Sequence, residues 1–434
     1  MGLNMSPHDP CVFLGKLRDD LPPIYIGIYV DDFKYFSLSD ETEDLFEKHL
    51  ASKCRVDFMG EVSWFLGSKY EWEDRPDGRL TVSITQTAKI EELIDTHRMS
   101  NCNPASSPYR SGHAIDRIPA ENISLGDKTP LVKKYQSLVG GLLWVQRHTH
   151  PEISAAVSLL SSYSHNPTAD HYYTAGKRVL AWLQGTLKRG ICFTTQGGTS
   201  TSVNVSFPID PNSAFPTSDG VYCDANWGPQ DASHPKDSET TSINKVQSLL
   251  GHIVFRLGGP LSWGCTREPR SDSRSSCESE IHSTDEATKS ALTTRHLLQD
   301  LGLPDGKFPT PIWNNNCGCV DWCKGVSVSR KLRHINMREL AVRLVQTDGH
   351  VCIRHIPGKH NIADLFTKEI KDPTHFRNTV FTITSPRLVA DLQIFDLSPQ
   401  TESEGGIGGG EPTGAFATEI STPVGNSEFV NRHL

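Results

Sequence analysis

Long apolar segments are absent from this chain. No uninterrupted apolar run approaches the ~18 residues that a membrane-spanning helix needs, and the first residues do not show the basic-then-apolar pattern of a secretory signal. A regular disulfide framework is also missing, because the eleven cysteines are an odd number scattered from Cys11 to Cys352. We therefore expect a soluble, intracellular protein with reduced thiols.

Three cysteines lie close together in the sequence, at Cys317, Cys319 and Cys323. A structural zinc site requires a fourth ligand at a compatible spacing, and none is evident nearby. We therefore predict that this group binds no zinc.

The chain also has no basic excess, because its formal net charge is −8. The charges are nevertheless uneven: residues 391 to 434 hold seven acids and one arginine, whereas residues 121 to 200 hold eight lysines and arginines against four acids. Two interpretations of the basic side chains remain open, namely contacts with nucleic-acid phosphates or a solvated helix face. The side chains concerned are Lys177, Arg178, Lys188 and Arg189.

Two adjacent carboxylates, Asp31 and Asp32, stand between the apolar segments 24–28 and 33–36. Strand residues alternate between faces, so adjacent acids converge only where the backbone bends, and we predict a strand–turn–strand hairpin. Carboxylate oxygens are the ligands that a hard cation such as Mg²⁺ prefers. A solvated turn is the alternative for the dipeptide taken alone.

Hydrophobic periodicity predicts further helices and strands, in a chain long enough for two to four domains. Asp40 is predicted to be the N-cap of a helix, with Glu43 at the third helical position. The other predicted elements are strands at 56–72 and 80–84, a helix from about Thr87 to His97, and three helices between Lys133 and Leu187, broken at Pro151 and Pro167.

The Tyr-Val-Asp-Asp sequence at residues 29–32 resembles motif C of reverse transcriptases, and its neighbours resemble the C-terminal part of the copia-type Pol polyprotein of LTR retrotransposons. The supporting motifs occur in the family's order across residues 5 to 368. They are Trp-Phe-Leu-Gly at 64–67, a Tyr-x-x-x-Val-Gly-x-Leu-x-Trp pattern at 135–144, His-Pro-Glu-Ile at 150–153 and a near-complete match at 175–186.

Later motifs resemble the family's ribonuclease H domain, which uses two divalent cations held by clustered carboxylates. The resemblance assigns metal-binding carboxylates to Asp224, Glu280 and Asp364. The family's remaining carboxylate falls at Asn315, whose amide oxygen can coordinate a cation but brings no negative charge. The resemblance thus implies a Mg²⁺ or Mn²⁺ site in which one ligand is weakened.

The resemblance implies an α/β fold: an α+β palm with a helical connection, then a ribonuclease H-like mixed sheet with flanking helices. The expected segments are a truncated palm at 1–85, a thumb and connector at 86–130, a helical connection at 131–194, a linker at 195–217, a ribonuclease H-like domain at 218–372, a C-terminal extension at 373–395 and a disordered acidic, Gly-rich tail at 396–434.

The resemblance also implies a function, that of a reverse transcriptase/ribonuclease H fragment acting on RNA, DNA and RNA·DNA hybrids with Mg²⁺ or Mn²⁺. It implies a location in the cytoplasm, within a virus-like particle, or in the nucleus. Only 28 residues precede Tyr29, too few to hold the family's upstream catalytic Asp and its fingers, so we expect Asp31 and Asp32 to be inactive in polymerisation if this chain is the whole translated product. The alternative is a catalytically dead remnant that retains at most nucleic-acid or protein binding.

Overall fold

The chain divides into two compact units, and the boundary between them in the sequence lies between Phe58 and Met59. The structure, a computed structural model, describes the following residues, of which 125–129 and 337–339 are described by their backbone alone: 2–74, 78–110, 115, 118, 125–194, 220–227, 248–256, 258–268, 273, 275–303, 309–325, 337–370 and 372–384. The predicted linker at 195–217 and the predicted tail at 396–434 lie outside these residues.

The first unit contains an antiparallel sheet and one helix that packs against it. The strands β1 (Leu3–Met5), β2 (Val12–Gly15), β3 (Ile24–Tyr29) and β4 (Asp32–Ser37) are neighbours in that order. Helix α1 (Asp40–Ala51) contributes Phe46 to the buried cluster formed with Ile24 and Ile26. Alternate apolar residues of β3 thus face the helix, as period-2 patterning requires.

The predicted hairpin is confirmed, because Tyr29 of β3 pairs with Asp32 of β4 across a tight turn. Val30 in that turn has a φ of 54°, in the left-handed region. The predicted helix begins at Asp40, but the predicted N-cap was wrong: Ser39 is the N-cap, and its side chain makes no capping hydrogen bond. The Glu43 side chain instead accepts a hydrogen bond from the backbone N–H of Ser37, at 2.8 Å.

The second unit begins with an antiparallel sheet that joins distant parts of the sequence. Its strands are β5 (Trp64–Phe65), β6 (Ser68–Asp74), β7 (Leu80–Thr85) and β8 (Gly190–Thr194), in that order. Residues 56 to 63 are not in a strand, so the predicted strand was too long at its start. Strand β8 was not predicted, and it pairs Gly190 with Thr85; a Cβ at Gly190 would lie 2.0 Å from the backbone oxygen of Ile84.

The residues between β7 and β8 form a layer of helices. These are α2 (Thr87–Thr96), α3 (Leu125–His148), α4 (Ser154–Ser161) and α5 (Lys177–Gly185), and a π-helical turn at His171–Gly176 leads into α5. The predicted breaks at Pro151 and Pro167 are confirmed, whereas α3 begins eight residues before the predicted Lys133. The helices share a buried core that includes Tyr135, Leu138, Leu142, Leu180 and Leu183.

A mixed sheet forms the last part of the second unit. Its strands are β9 (Gly220–Asn226), β10 (Leu249–Arg256), β11 (Gly259–Arg267), β12 (Thr310–Asn314) and β13 (Val351–His355). The order is β11-β10-β9-β12-β13; β10 is antiparallel to both of its neighbours, and β12 is parallel to β9 and β13. The α/β class expected from the sequence is confirmed.

Helices cover both faces of this mixed sheet. The helices α6 (Ser276–Asp300), α7 (Cys317–Cys323) and α8 (Met337–Thr347) pack on the face that carries Val221 and Ile312. The opposite face, with Tyr222 and Phe255, shares a core with the earlier helices and with α9 (Pro373–Thr384). A hydrogen bond of 3.0 Å from the Trp263 indole to the backbone oxygen of Gln146 joins β11 to α3.

All eleven cysteines are free thiols in the structure. Cys319 and Cys323, two of the three clustered cysteines, lie on α7 and are buried in the core. Within the described ranges, no helix is both long enough and apolar enough to cross a membrane.

Candidate active site

Three of the predicted acidic ligands come together at the edge of the mixed sheet where β9 and β12 end. Asp224 lies on β9, Glu280 in the first turns of α6, and Asp364 on a short 3₁₀ helix at Ile362–Phe366. The carboxyl ends of parallel strands meet at one edge of a sheet, which is where ligand sites commonly form in open α/β sheets. The topology therefore brings together residues that are 140 positions apart in the sequence.

Neighbouring hydrogen bonds fix the backbone around Asp224. The Ser283 hydroxyl of α6 donates to the backbone oxygen of Asp224 at 2.7 Å, and the Asn361 amide donates to the backbone oxygen of Cys223 at 2.9 Å. Asn361 also caps the 3₁₀ helix by accepting from the N–H of Ala363. The strand, α6 and the 3₁₀ helix are thus tied together at the acidic residues.

Lys368 lies between two of the carboxylates. Its Nζ is 2.9 Å from Oδ1 of Asp224 and 2.8 Å from Oδ1 of Asp364. The other carboxylate oxygen of Asp224 accepts from the hydroxyl of Thr367. Burial opposes the charge on the ammonium, but the two carboxylates outweigh it and raise the pKa of Lys368 above its ordinary value.

Glu280 and Asp364 bind a proton more readily than ordinary carboxylic acids do. Burial, together with the negative charge of Asp224, raises the pKa of Glu280 to about 8 and that of Asp364 to about 6. Such shifts arise when carboxylates crowd a poorly solvated site that holds too little positive charge. The site therefore favours an additional cation.

Asn314, the last residue of β12, is a site residue that the sequence analysis missed. Its side chain is fully buried; Nδ2 donates to Oε2 of Glu280 at 3.1 Å and to the Thr284 hydroxyl at 3.2 Å, while Oδ1 accepts from the N–H of Asn316 at 2.7 Å. The carboxyl group of Glu280 is oriented by this amide. The family motif drew attention to the next residue, and no signal in the sequence pointed to Asn314.

Asn315, the residue predicted to replace an acidic ligand, follows directly after the end of β12. Its amide oxygen is buried and has no hydrogen-bond partner in the part of the chain that the structure describes. A buried polar atom without a partner is uncommon, and it suits a position that a ligand satisfies.

The donor atoms at this edge are of the type that a hard divalent cation prefers. The donors are carboxylate and amide oxygens, which Mg²⁺ and Mn²⁺ prefer, and the raised pKa values of Glu280 and Asp364 indicate a shortage of positive charge. Among the described residues, however, no group of three or more His, Cys, Asp or Glu side chains is placed so that it could hold a metal ion. Lys368 stands between the carboxylates of Asp224 and Asp364, so cation binding requires this ammonium to move.

The structure does not bring Asp31 and Asp32 into a comparable group. Both side chains are exposed at the hairpin turn of the first unit. Within the described ranges, no further acidic, His or Cys side chain completes a metal-binding group with them.

The four basic residues for which phosphate contacts or a solvated helix face were both open lie in and beyond α5, in different surroundings. The Arg178 guanidinium donates to the backbone oxygens of Ser107 and Tyr109, at 2.9 and 3.2 Å, and the Arg189 guanidinium lies 5.7 Å from the ring centre of Trp182. These two side chains therefore have structural contacts. Lys188 is exposed, and Lys177 lies half-buried beside the rings of Tyr172 and Tyr173.

Two curated relatives of this chain are polyproteins of plant transposons. One is the retrovirus-related Pol polyprotein from transposon RE2 of Arabidopsis thaliana, 27% identical over 351 residues, covering 80% of this chain and 21% of the relative. Another is the Pol polyprotein from transposon TNT 1-94 of Nicotiana tabacum, 25% identical over 363 residues, covering 83% of this chain and 24% of the relative. The chain thus spans less than a quarter of the length of these relatives. No family model matches the chain.

Among solved structures, the chain is similar to LC11-RNase H1, crystallised in complex with an RNA/DNA hybrid. The sequence identity is 14%, the TM-score is 0.24, and the match covers 34% of this chain and 91% of that protein.

Proposed function

This chain belongs to the copia-type Pol polyproteins of LTR retrotransposons, and from that membership we propose that its carboxylate site hydrolyses the RNA strand of RNA·DNA hybrids. The chain corresponds to the reverse transcriptase/ribonuclease H-type region of such a polyprotein. Its partners in this proposal are RNA, DNA and their hybrid, and its cofactor is Mg²⁺ or Mn²⁺.

The observation that carries the proposal is the meeting of Asp224, Glu280 and Asp364 at one edge of the mixed sheet. They come from a strand, a helix and a 3₁₀ helix that are far apart in the sequence, yet hydrogen bonds from Ser283 and Asn361 join these elements at this point. Crowding ionisable carboxylates is costly without compensating positive charge, so their convergence supports a function that uses bound cations.

Each residue has a distinct part in the proposed reaction. Asp224, Glu280 and Asp364 would hold two divalent cations, with the amide oxygen of Asn315 as a further neutral ligand. Bound cations of this kind supply an activated water and stabilise the departing oxygen. Asn314 orients the Glu280 carboxyl group through its 3.1 Å hydrogen bond. Because Glu280 has a raised pKa, it must release its proton before it can hold a cation.

Cleavage of a labelled RNA·DNA hybrid by the full chain, in the presence of Mg²⁺ or Mn²⁺, tests the proposal. We expect weak cleavage by the natural sequence and no cleavage after Asp224→Asn. Asn315→Asp should raise the rate at least about tenfold, which corresponds to ~1.4 kcal/mol of activation free energy. Asp348→Asn, at an exposed turn residue, is the matched control and should leave the rate unchanged.

The competing function is nucleic-acid binding without chemistry, which the neutral side chain at Asn315 favours. It predicts that the natural chain and its Asn315→Asp variant both bind hybrid and that neither cleaves it. That result would refute the proposed hydrolysis and leave the chain as a binding remnant of a Pol polyprotein.

A further inference from the structure

The position of Lys368 has a consequence for how the carboxylate site binds a cation. The lysine follows the 3₁₀ helix at Ile362–Phe366, and its backbone N–H donates to the backbone oxygen of Asp364 at 2.9 Å. This turn directs the side chain back across the site. The ammonium then reaches the oxygens of two acids at once, at 2.9 and 2.8 Å.

We propose that Lys368 is a built-in counter-ion that competes with divalent cations for Asp224 and Asp364, so that the lysine sets the affinity of the site for metal. The inference rests on the proposed function insofar as it requires this site to take a cation. It goes further by assigning a role to a residue that is neither a ligand nor a reacting group.

Burial supports competition rather than simultaneous binding. The side chain of Asp224 is completely buried, and its two carboxylate oxygens already accept from Lys368 and from Thr367. A dication needs direct contact with carboxylate oxygens. The Lys368 ammonium, 2.9 Å from Oδ1 of Asp224, already takes the place next to that oxygen. Two positive charges so close together would also repel each other.

The mobility needed for this exchange lies with the lysine. Its side chain is 38% exposed, whereas that of Asp364 is 18% exposed and that of Asp224 is not exposed at all. Lysine has a long flexible stem that can carry its charged end into solvent while the carboxylates stay in place. Without metal, the ammonium compensates charges that would be costly to bury unpaired.

Mn²⁺ binding to the full chain, measured by titration calorimetry, tests the inference with Lys368→Gln, Lys368→Arg and the control Lys359→Gln. Lys359 is an exposed lysine on the short helix that precedes Asn361. Lys368→Gln should bind Mn²⁺ at least about tenfold more tightly, which is about 1.4 kcal/mol. Lys368→Arg should bind no more tightly than the natural chain, because it keeps the charge, and Lys359→Gln should leave the affinity unchanged.

Thermal unfolding of the same proteins in EDTA gives a second readout that does not depend on activity. Lys368→Gln should lower the melting temperature in EDTA, and Mn²⁺ should restore it; Lys368→Arg should retain most of the stability without metal. If the lysine only stabilised the fold, Lys368→Gln would melt earlier without binding Mn²⁺ more tightly, and that outcome overturns the inference.

The outcomes also separate this inference from the proposed function. Equal Mn²⁺ affinity in the natural chain and in Lys368→Gln, with hybrid cleavage intact, overturns the competition alone. If none of the proteins binds Mn²⁺ or cleaves hybrid, the proposed function fails, and the competition fails with it. Tighter Mn²⁺ binding by Lys368→Gln supports the competition whether or not the hybrid is cleaved.

Discussion

Two adjacent asparagines should differ sharply in their importance for the stability of the second unit. Asn314 is completely buried and hydrogen-bonded to Glu280, Thr284 and the backbone of Asn316, whereas the amide oxygen of Asn315 has no partner among the described residues. Leucine has nearly the shape of asparagine but forms no hydrogen bonds. Asn314→Leu and Asn315→Leu are therefore a matched pair of substitutions.

The magnitude follows from the hydrogen bonds that each change removes. Asn314→Leu leaves the Glu280 carboxyl and the N–H of Asn316 without the bonds of 3.1 and 2.7 Å that they now share with Asn314. A buried group left without its partner costs about 1–3 kcal/mol. The added apolar contact offsets part of this loss, so we expect a decrease of roughly 2–4 kcal/mol in the free energy of unfolding. Asn315→Leu breaks no such bond and should change it by less than about 1 kcal/mol.

Urea unfolding in EDTA, followed by tryptophan fluorescence, measures this difference. All eight tryptophans follow residue 58, so their fluorescence reports on the second unit. The slope of the free energy against urea should be the same in all three proteins, since the unfolded surface hardly changes. Equal losses for the two substitutions, or a greater loss for Asn315→Leu, would refute the hydrogen-bond assignment at Asn314.

Three more predictions address the hairpin that carries Asp31 and Asp32, the pH dependence of stability, and nucleic-acid binding. Primer extension with Mg²⁺ or Mn²⁺ should yield no product, because Asp31 and Asp32 have no further metal-binding side chain beside them among the described residues; synthesis that disappears after Asp31→Asn plus Asp32→Asn would contradict this. The pKa of Glu280 is raised to about 8, so the folded protein holds this proton at pH values where the unfolded chain has lost it. In EDTA, the free energy of unfolding should therefore fall as pH rises from the ordinary glutamate range towards 8. Urea titrations at several pH values will measure this decrease. Hybrid affinity, measured by fluorescence anisotropy, should fall steeply with added salt and further after Lys188→Gln; an affinity independent of salt would exclude phosphate contacts.

Sequence patterns predicted the local elements better than the long-range pairings. The Asp-Asp hairpin and the helix breaks at Pro151 and Pro167 followed from alternation and from proline chemistry, both of which act over a few residues. Strand β8 was missed because five residues that begin with glycine give little periodicity. This segment is a strand because it pairs with the edge of β7, which lies far earlier in the sequence.

The candidate site shows the same division. The family motifs led to Asp224, Glu280 and Asp364, and the structure places all three at one edge of the mixed sheet. Lys368 belongs to the last of those motifs, but nothing in its sequence position shows that its side chain turns back onto Asp224. Asn314 was passed over because its role depends on which face of β12 meets α6, and a shift of one residue reverses that face.

The pairing of β7 with β8 also governs when the second unit can assemble during translation. Strand β7 leaves the ribosome about a hundred residues before β8, and throughout that interval the edge that pairs with β8 stays unpaired. An unpaired strand edge is prone to bind the edge of another chain. The nascent polypeptide is therefore prone to aggregate while α2 to α5 are being synthesised, and slower elongation through that stretch should lower the yield of folded protein.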